Sequence, residues 1–315
     1  MRITVLDRNS LGTDTPLSGL YAFGDVEIYD STAPEQIISR IDESDIIVLN
    51  KVKIDESIFK AAKRLKLICI FATGYDNIDL VAARKHGVAV CNVPGYSTDS
   101  VALFTVSNVL ALATHLCEYN RYVTSGEYSA SGVPNKLTPV YHEIRGKTWG
   151  IVGLGNIGRA VAKVAEALGA RVIANKRTPI DDYECVDIDT LCRESDIITI
   201  HCPLNDDTRN LINSERISLM KKDVIIVNEA RGAVVNDNDI ATAVKNGRIG
   251  AFGSDVYTTE PFLSDHPFYE IKDYSNVLFT PHAAWGAYEA RERCIGVICD
   301  NIRAFLKGER NNRVD

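Results

Sequence analysis

No run of this 315-residue sequence is long and apolar enough to cross a bilayer. The longest apolar stretch, 101–113, is broken by Thr105, Ser107 and Asn108, whereas a spanning helix needs about 20 apolar residues. A signal-peptide layout is also missing, because Met1-Arg2-Ile3-Thr4-Val5-Leu6-Asp7 already reads as a strand. Excess positive charge is absent, and a net charge of −7 argues against a nucleic-acid surface. The eight cysteines show no C-x-x-C spacing. Reduced, buried thiols of a cytoplasmic protein are therefore expected, not disulfides or a cluster. No histidine pair has ligand spacing such as H-E-x-x-H, so no metal is expected. Neither is there a sequence-level repeat. What is present is a globular composition, 45% hydrophobic and 24% charged, in a chain long enough for two domains with real cores.

The most informative stretch is Trp149-Gly150-Ile151-Val152-Gly153-Leu154-Gly155-Asn156-Ile157-Gly158. An apolar run leads into G-x-G-x-x-G, and Ile157, Val161, Val164, Ala165 and Leu168 then fall on one helical face. Strand, tight turn and helix is the context of a dinucleotide site. Gly153 would make the turn and Gly155 would let the backbone approach a pyrophosphate. Gly158 would let helix and strand pack closely, and the helix N-terminus would offer free N–H groups to phosphate.

Before this turn the chain alternates strands (3–6, 26–29, 46–49, 67–71, 88–91) with helices (34–41, 55–62, 79–86), which implies a mostly parallel sheet covered on both faces. The segment 72–79 follows a strand end, where such sheets bind ligands, and Asp79 is expected to cap the next helix. Residues 97–115 read as one helix, apolar nearly all round and hence buried. The stretch 120–147, with three glycines and two prolines, reads as a long irregular loop that is functional or packed on a partner. A second series follows, with strands at 148–152, 171–174, 197–201, 223–228, 249–254 and 276–280, six in all, as a Rossmann domain requires. Last comes an amphipathic helix, 287–306, with Ala290, Cys294, Val297, Ile298, Ile302 and Phe305 on its face.

Three polar groups fall just past strand ends of this second series. Arg231 follows 223–228, Asp255 ends 249–254, and His282 follows 276–280, with Glu260 in the loop after Asp255. A guanidinium holds a planar carboxylate by two hydrogen bonds. An imidazole exchanges a proton near neutral pH, and a carboxylate on its other nitrogen orients it. Together they suit delivery of hydride and proton to a carbonyl beside a carboxylate. Taken singly, Arg231-Gly232 also reads as a simple turn, Glu260-Pro261 as a solvated loop and Pro281-His282 as a strand terminator. Their joint position favours catalysis. His86, His115, His142 and His266 show no such partner, while His201 ends a strand and is placed on the adenine side.

These residues resemble the D-isomer-specific 2-hydroxyacid dehydrogenases over essentially the whole chain. The likeness rests on 72–79, Asn92-Val93-Pro94-Gly95, 150–158, His201-Cys202-Pro203-Leu204, 228–232, 255–261 and 281–285. It implies an α/β protein of two doubly wound parallel-sheet domains. A Rossmann nucleotide-binding domain (99–286) is inserted into a flavodoxin-like substrate domain (1–98 and 287–315). It implies that Arg231 binds the substrate carboxylate, that His282 is the acid/base and that Glu260 pairs with it. Asp255 would hold the nicotinamide carboxamide. Further cofactor contacts are implied for Gly153, Gly155, Asn156, Ile157, Gly158, Lys176, Arg177, Cys202, Pro203, Thr208, Glu229 and Ala230. Thr73, Gly74, Tyr75 and Trp285 would meet the substrate. Segments 92–99 and 281–290 look most like glycerate dehydrogenases, also called hydroxypyruvate reductases, so hydroxypyruvate or glyoxylate is the expected 2-oxo acid.

Two departures stand out. Leu103 occupies a position where the family often has Glu or Gln. Asn175-Lys176-Arg177 stands where NAD enzymes place an acid for the ribose hydroxyls, so NADPH is expected to be preferred, with NADH possible. A homodimer is expected from the partly apolar segment 119–141 and the apolar helix before it. The competing readings are a nucleotide-sensing, co-repressor-like binding protein and a phosphoglycerate dehydrogenase. The second is weakened by a chain that stops at Asp315 without an appended regulatory domain.

Overall fold

A computed structural model describes residues 1–178 and 180–315. The chain divides into two compact units, one of Met1–Ser97 with Gly286–Asp315 and one of Thr98–Trp285.

The first unit holds five strands, β1 (Arg2–Val5), β2 (Asp25–Ile28), β3 (Ile46–Leu49), β4 (Leu67–Ile70) and β5 (Ala89–Cys91). All pair in parallel in the order β2-β1-β3-β4-β5, the flavodoxin-like winding. Strands β3 and β4 are buried at every position, which is why they read as unbroken apolar runs. Asp55 and Asp79 cap the helices Glu56–Ala61 and Leu80–Lys85 by accepting from free amides of the first turn. The closing helix Tyr288–Leu306 lays Ala290, Cys294, Ile298 and Ile302 inward and packs on β4.

The second unit holds seven strands: β6 (Thr148–Val152), β7 (Arg171–Asn175), β8 (Glu184–Cys185), β9 (Ile197–Ile200), β10 (Ile225–Asn228), β11 (Ala251–Ser254) and β12 (Val277–Phe279). Their order is β12-β11-β10-β9-β6-β7-β8, a Rossmann sheet with a parallel strand added beyond β11. Trp149 is fully buried in β6, and its indole N–H donates to Thr199 Oγ1 of β9 at 3.1 Å. Helix Thr98–Ala113 packs on helix Asn156–Ala167 and on β10 and β11.

Four expectations need correction. The sheet has a seventh strand, because β8 is only two residues long and too short to leave a pattern in sequence. Segment 34–41 is a helix only from Ile37, its first turn Pro34–Gln36 being tighter. Helix Thr98–Ala113 is not buried all round, since Leu103 is 68% exposed and Ser107 is exposed beside it. Finally, 120–147 is not one long loop. Helices Leu116–Thr124 and Glu127–Ser131 occupy its first part, and Gly126 takes the left-handed φ that separates them. Among the described residues no single helix is long and apolar enough to cross a membrane. Thr98–Ala113 and Leu116–Thr124 pass that test only together, bent by 64°.

Candidate active site

The glycine turn between β6 and helix Asn156–Ala167 has two separate steric causes, at Gly153 and Gly158. Gly153 lies at φ +95°, and a Cβ there would come within 2.5 Å of the Cys202 amide nitrogen. At Gly158 a Cβ would sit 2.3 Å from the Gly153 carbonyl oxygen, so the helix crosses its own turn at backbone contact. A Cβ on Gly155 would meet no protein atom within 4 Å, so its lack of a side chain serves no internal packing. It leaves the amides of Asn156 and Ile157 open to approach, which fits a pyrophosphate on a helix N-terminus. Cys202 is buried beside this turn, and burial pushes its thiol up to about 11. After Pro203 a tight turn is closed by Thr208, whose hydroxyl donates to the Pro203 carbonyl at 2.7 Å and accepts from the Asn205 amide.

At the end of β10 the Asn228 side chain shapes the next turn, accepting from the Ala230 amide at 3.1 Å and donating to the Arg231 carbonyl at 3.0 Å. Arg231 is extended, with one guanidinium N–H given to the Ala230 carbonyl. Its neighbour must be glycine, because a Cβ on Gly232 would lie 2.0 Å from the Tyr257 carbonyl carbon. The Arg231 turn and the loop after β11 thus touch through bare backbone.

That loop carries Glu260. The Tyr257 amide donates to Glu260 Oε1 at 3.0 Å, and Glu260 Oε2 lies 2.7 Å from His282 Nδ1. A carboxylate that accepts at Nδ1 leaves Nε2 to face a substrate. His282 sits at φ +54°, a left-handed conformation that costs a residue with a side chain on the order of 1–3 kcal/mol. Asp255 offsets this cost. It is 2% exposed and accepts from the Ala283 amide at 2.8 Å, the Ala284 amide at 2.9 Å and the Thr280 hydroxyl at 2.7 Å. Its own carbonyl takes the His282 amide at 2.9 Å. Arg231, Glu260 and His282 therefore lie on three adjoining strand ends of one sheet.

Other expected site residues are placed as follows. Lys176 and Arg177 follow β7, and among the described residues neither is in an ion pair. Asn175 ends β7 with its amide given to the Val186 carbonyl at 3.0 Å. Thr73, Gly74 and Tyr75 follow β4 in the first unit, where the Thr73 hydroxyl donates to Val93. Trp285 closes the second unit.

The histidines need correction too. His266 does have a partner: Asp237 Oδ2 lies 3.1 Å away, both residues being buried. His86 lies 3.3 Å from Glu56. Each carboxylate is about 30 residues away in sequence, as their numbers show, so spacing carried no sign of either pair. The His201 ring nitrogens are buried without a partner among the described residues, and burial pushes this group down to about 3. Among the described residues no three His, Cys, Asp or Glu side chains are grouped to hold a metal.

Glu229 is more than a contact in a turn. It is 8% exposed, one oxygen accepts from Asn108 Nδ2 at 2.7 Å, and the other is buried with no partner. Burial and the neighbouring Asp255 charge push it up to about 8.

A Rossmann sheet that carries a guanidinium and a carboxylate–imidazole pair at its strand ends belongs to the nucleotide-dependent oxidoreductases acting on CH–OH groups. The chain belongs to the D-isomer specific 2-hydroxyacid dehydrogenases: the profile of that family's NAD binding domain matches residues 106–284. A hydroxypyruvate reductase of Blautia hydrogenotrophica is 35% identical over 326 residues, covering 100% of both chains. A glycerate dehydrogenase of Methylorubrum extorquens is also 35% identical, over 100% of this chain and 99% of its own. Among solved structures, an acyclic imino acid reductase in complex with NADPH and D-Arg superposes with a TM-score of 0.87 at 30% identity, over 100% of each chain.

The state of Glu229 makes stability depend on pH. The folded chain keeps a proton up to about pH 8 that the unfolded chain releases near 4.5. Stability contributed by this group is therefore lost as pH rises between those values. Glu229→Gln keeps the oxygen that accepts from Asn108 and carries no titrating proton. Its melting temperature relative to wild type should climb as pH is raised from about 5 to about 8, by an amount reflecting about 1.4 kcal/mol per tenfold in proton affinity. Parallel melting curves in calorimetry across that range would overturn this reading.

Proposed function

We propose that the protein reduces a small 2-oxo acid, with hydroxypyruvate and glyoxylate as the best candidates, to the D-2-hydroxy acid. The observation that carries this reading is the 2.7 Å Glu260–His282 bond on the strand end next to the Arg231 turn. The names of the two relatives above point to the same substrate class. A nicotinamide dinucleotide, when bound, supplies the hydride. Gly153, Gly155 and Gly158, with the amides of Asn156 and Ile157, would hold its pyrophosphate. Cys202, Pro203, Thr208, Glu229 and Ala230 would line its path along the strand ends. Three of the roughly four acceptor positions of the Asp255 carboxylate are filled, which leaves one for the carboxamide.

In this reading Arg231 grips the substrate carboxylate through paired N–H donors and so fixes the C2 carbonyl. Negative charge builds on the carbonyl oxygen as C2 is reduced, and His282 gives it the proton from Nε2. Glu260, 2.7 Å from Nδ1, holds the ring so that Nε2 faces the substrate. General acid catalysis contributes about 10²–10⁴-fold, so His282→Gln should lose that much in kcat while cofactor affinity survives. Activity within a few fold of wild type sinks the assignment. Glu260→Gln should also lower kcat, because the ring loses the carboxylate that orients it.

The cofactor is proposed to be NADPH before NADH. Asn175 stands at the end of β7 in place of an acid, and the cations after it have no ion-pair partner among the described residues. Charge-assisted bonds to a ribose phosphate are worth about 1.5–3 kcal/mol, or about ten- to hundred-fold. Comparing kcat/KM for the two cofactors in wild type and Lys176→Asp tests this, and a wild type that prefers NADH defeats it.

A cytoplasmic homodimer joined through the nucleotide-binding units completes the proposal. Eight free thiols suit a reducing compartment. Leu116, Val123, Leu137, Val140 and Tyr141 are 53–75% exposed along one short stretch, and apolar surface of this kind is usually covered by a partner. Light scattering at micromolar concentration should give about twice the 34.7 kDa chain mass. A monomeric mass refutes it.

A further inference from the structure

The Glu260 loop, 255–266, has no regular structure, yet it must hold a carboxylate against an imidazole to within a fraction of an ångström. A buried polar cluster stands at its base. The His266 ring accepts the Phe268 amide at Nδ1 (3.2 Å), so its proton is on Nε2. That nitrogen lies 3.1 Å from Asp237 Oδ2 and 3.0 Å from the Thr258 hydroxyl oxygen. The Thr258 hydroxyl itself donates to Asp237 Oδ2. Asp237 opens the helix Asp237–Lys245, reached directly from the Arg231 turn. Thr258 is two residues before Glu260, and His266 ends the loop. The same loop is pressed on the Arg231 turn at Gly232 and anchored by the Tyr257 hydroxyl, which donates to the Thr280 carbonyl at 2.7 Å.

We propose that Asp237, Thr258 and His266 are positioning residues for the reaction, fixing the Glu260 carboxylate relative to both His282 and Arg231. The cluster is a costly way to hold a loop. Asp237 Oδ1 is buried with no partner among the described residues, and burial raises this carboxyl above its ordinary value. Apolar side chains of similar volume often stabilise a protein more than such a group. What the polar cluster adds is direction. Three hydrogen bonds converge on one carboxylate oxygen and one ring nitrogen, so the base of the loop cannot slide along the helix that carries it. An aromatic packing of Tyr257 on Phe262, with ring centres 4.7 Å apart, closes the space between. A 1 Å displacement of a reacting group can cost about 100-fold in rate, so a cluster that touches no substrate still governs turnover.

This rests on the Glu260–His282 pair being the reacting acid and its holder, and the test separates the two claims. Steady-state kinetics would be measured for Asp237→Asn, Thr258→Val, Thr258→Ser, Glu260→Gln and the Asp237→Asn/Glu260→Gln double variant, alongside melting temperature and NADPH affinity. Asp237→Asn and Thr258→Val should each lose about 10- to 100-fold in kcat, with KM and NADPH affinity little changed. Thr258→Ser, which keeps the hydroxyl, should recover most of the rate. The double variant should be no slower than Glu260→Gln alone, since the cluster acts through Glu260. Losses that multiply in the double variant, or that follow melting temperature with KM and kcat moving together, overturn the inference and leave the acid/base assignment standing. A Glu260→Gln enzyme as fast as wild type overturns that assignment and the inference with it. If Asp237→Asn fails to fold, a double variant of Thr258→Val with Glu260→Gln carries the same cycle.

Discussion

Much of the second unit turns on one buried carboxylate. Asp255 accepts hydrogen bonds from two consecutive amides and a hydroxyl, and these bonds dictate the path of 280–284. A chain bent this way places His282 in a conformation that few side chains adopt. The strain is tolerable because each of those amides would otherwise be left unpaired. The effect continues outward. The carbonyl of Ala284, fixed by its own amide, accepts from the Ser100 hydroxyl at 2.6 Å, which fastens the start of helix Thr98–Ala113. Sideways along the sheet, the Asp255 charge adds to burial in keeping Glu229 protonated. Conformation of a histidine, docking of a helix and charge of a neighbour thus share one cause.

Close backbone approach is the second constraint. Gly232 and Gly158 each lie where a methyl group would intrude on backbone, in one case a neighbouring loop and in the other the helix's own turn. Such positions lock loops without side-chain hydrogen bonds, and they tolerate no substitution by rotamer change. It follows that the glycine after Arg231 is as much part of the site's geometry as the arginine itself.

Legibility in the sequence divided along physical lines. Buried parallel strands are continuous apolar runs, so β3, β4, β6 and β10 were readable to within two residues. The glycine spacing was readable because sterics act over a few neighbouring residues. Strand ends could be located, and with them the joint placement of Arg231, Asp255, Glu260 and His282 on one edge of the sheet. What escaped were features whose causes lie far apart along the chain. The helices Leu116–Thr124 and Glu127–Ser131 are short and contain no buried residue, so no core-facing apolar run marks them. His266 looked unpartnered because Asp237 comes before the whole of β11. The protonated state of Glu229 depends on burial, a property no spacing records. Leu103 looked like one more core residue of an apolar helix, and only packing shows that its face is open.

The distribution of unsatisfied polar groups supports reading both units by their strand ends. Among the described residues, six buried side-chain atoms lack a hydrogen-bond partner: Arg8 Nη1, Ser10 Oγ, both His201 nitrogens, Glu229 Oε2 and Asp237 Oδ1. None lies inside a strand or in the middle of a helix. Arg8 and Ser10 follow β1, His201 follows β9 and Glu229 follows β10, while Asp237 opens the helix Asp237–Lys245. Each such group costs about 1–3 kcal/mol, and a sequence selected for stability alone would scatter or remove them. All but the Asp237 oxygen gather at the carboxyl ends of parallel strands, where open α/β sheets meet their ligands. The same ends carry the ordered Glu260–His282 pair, so paired and unpaired polar groups of the second unit share one end of its sheet.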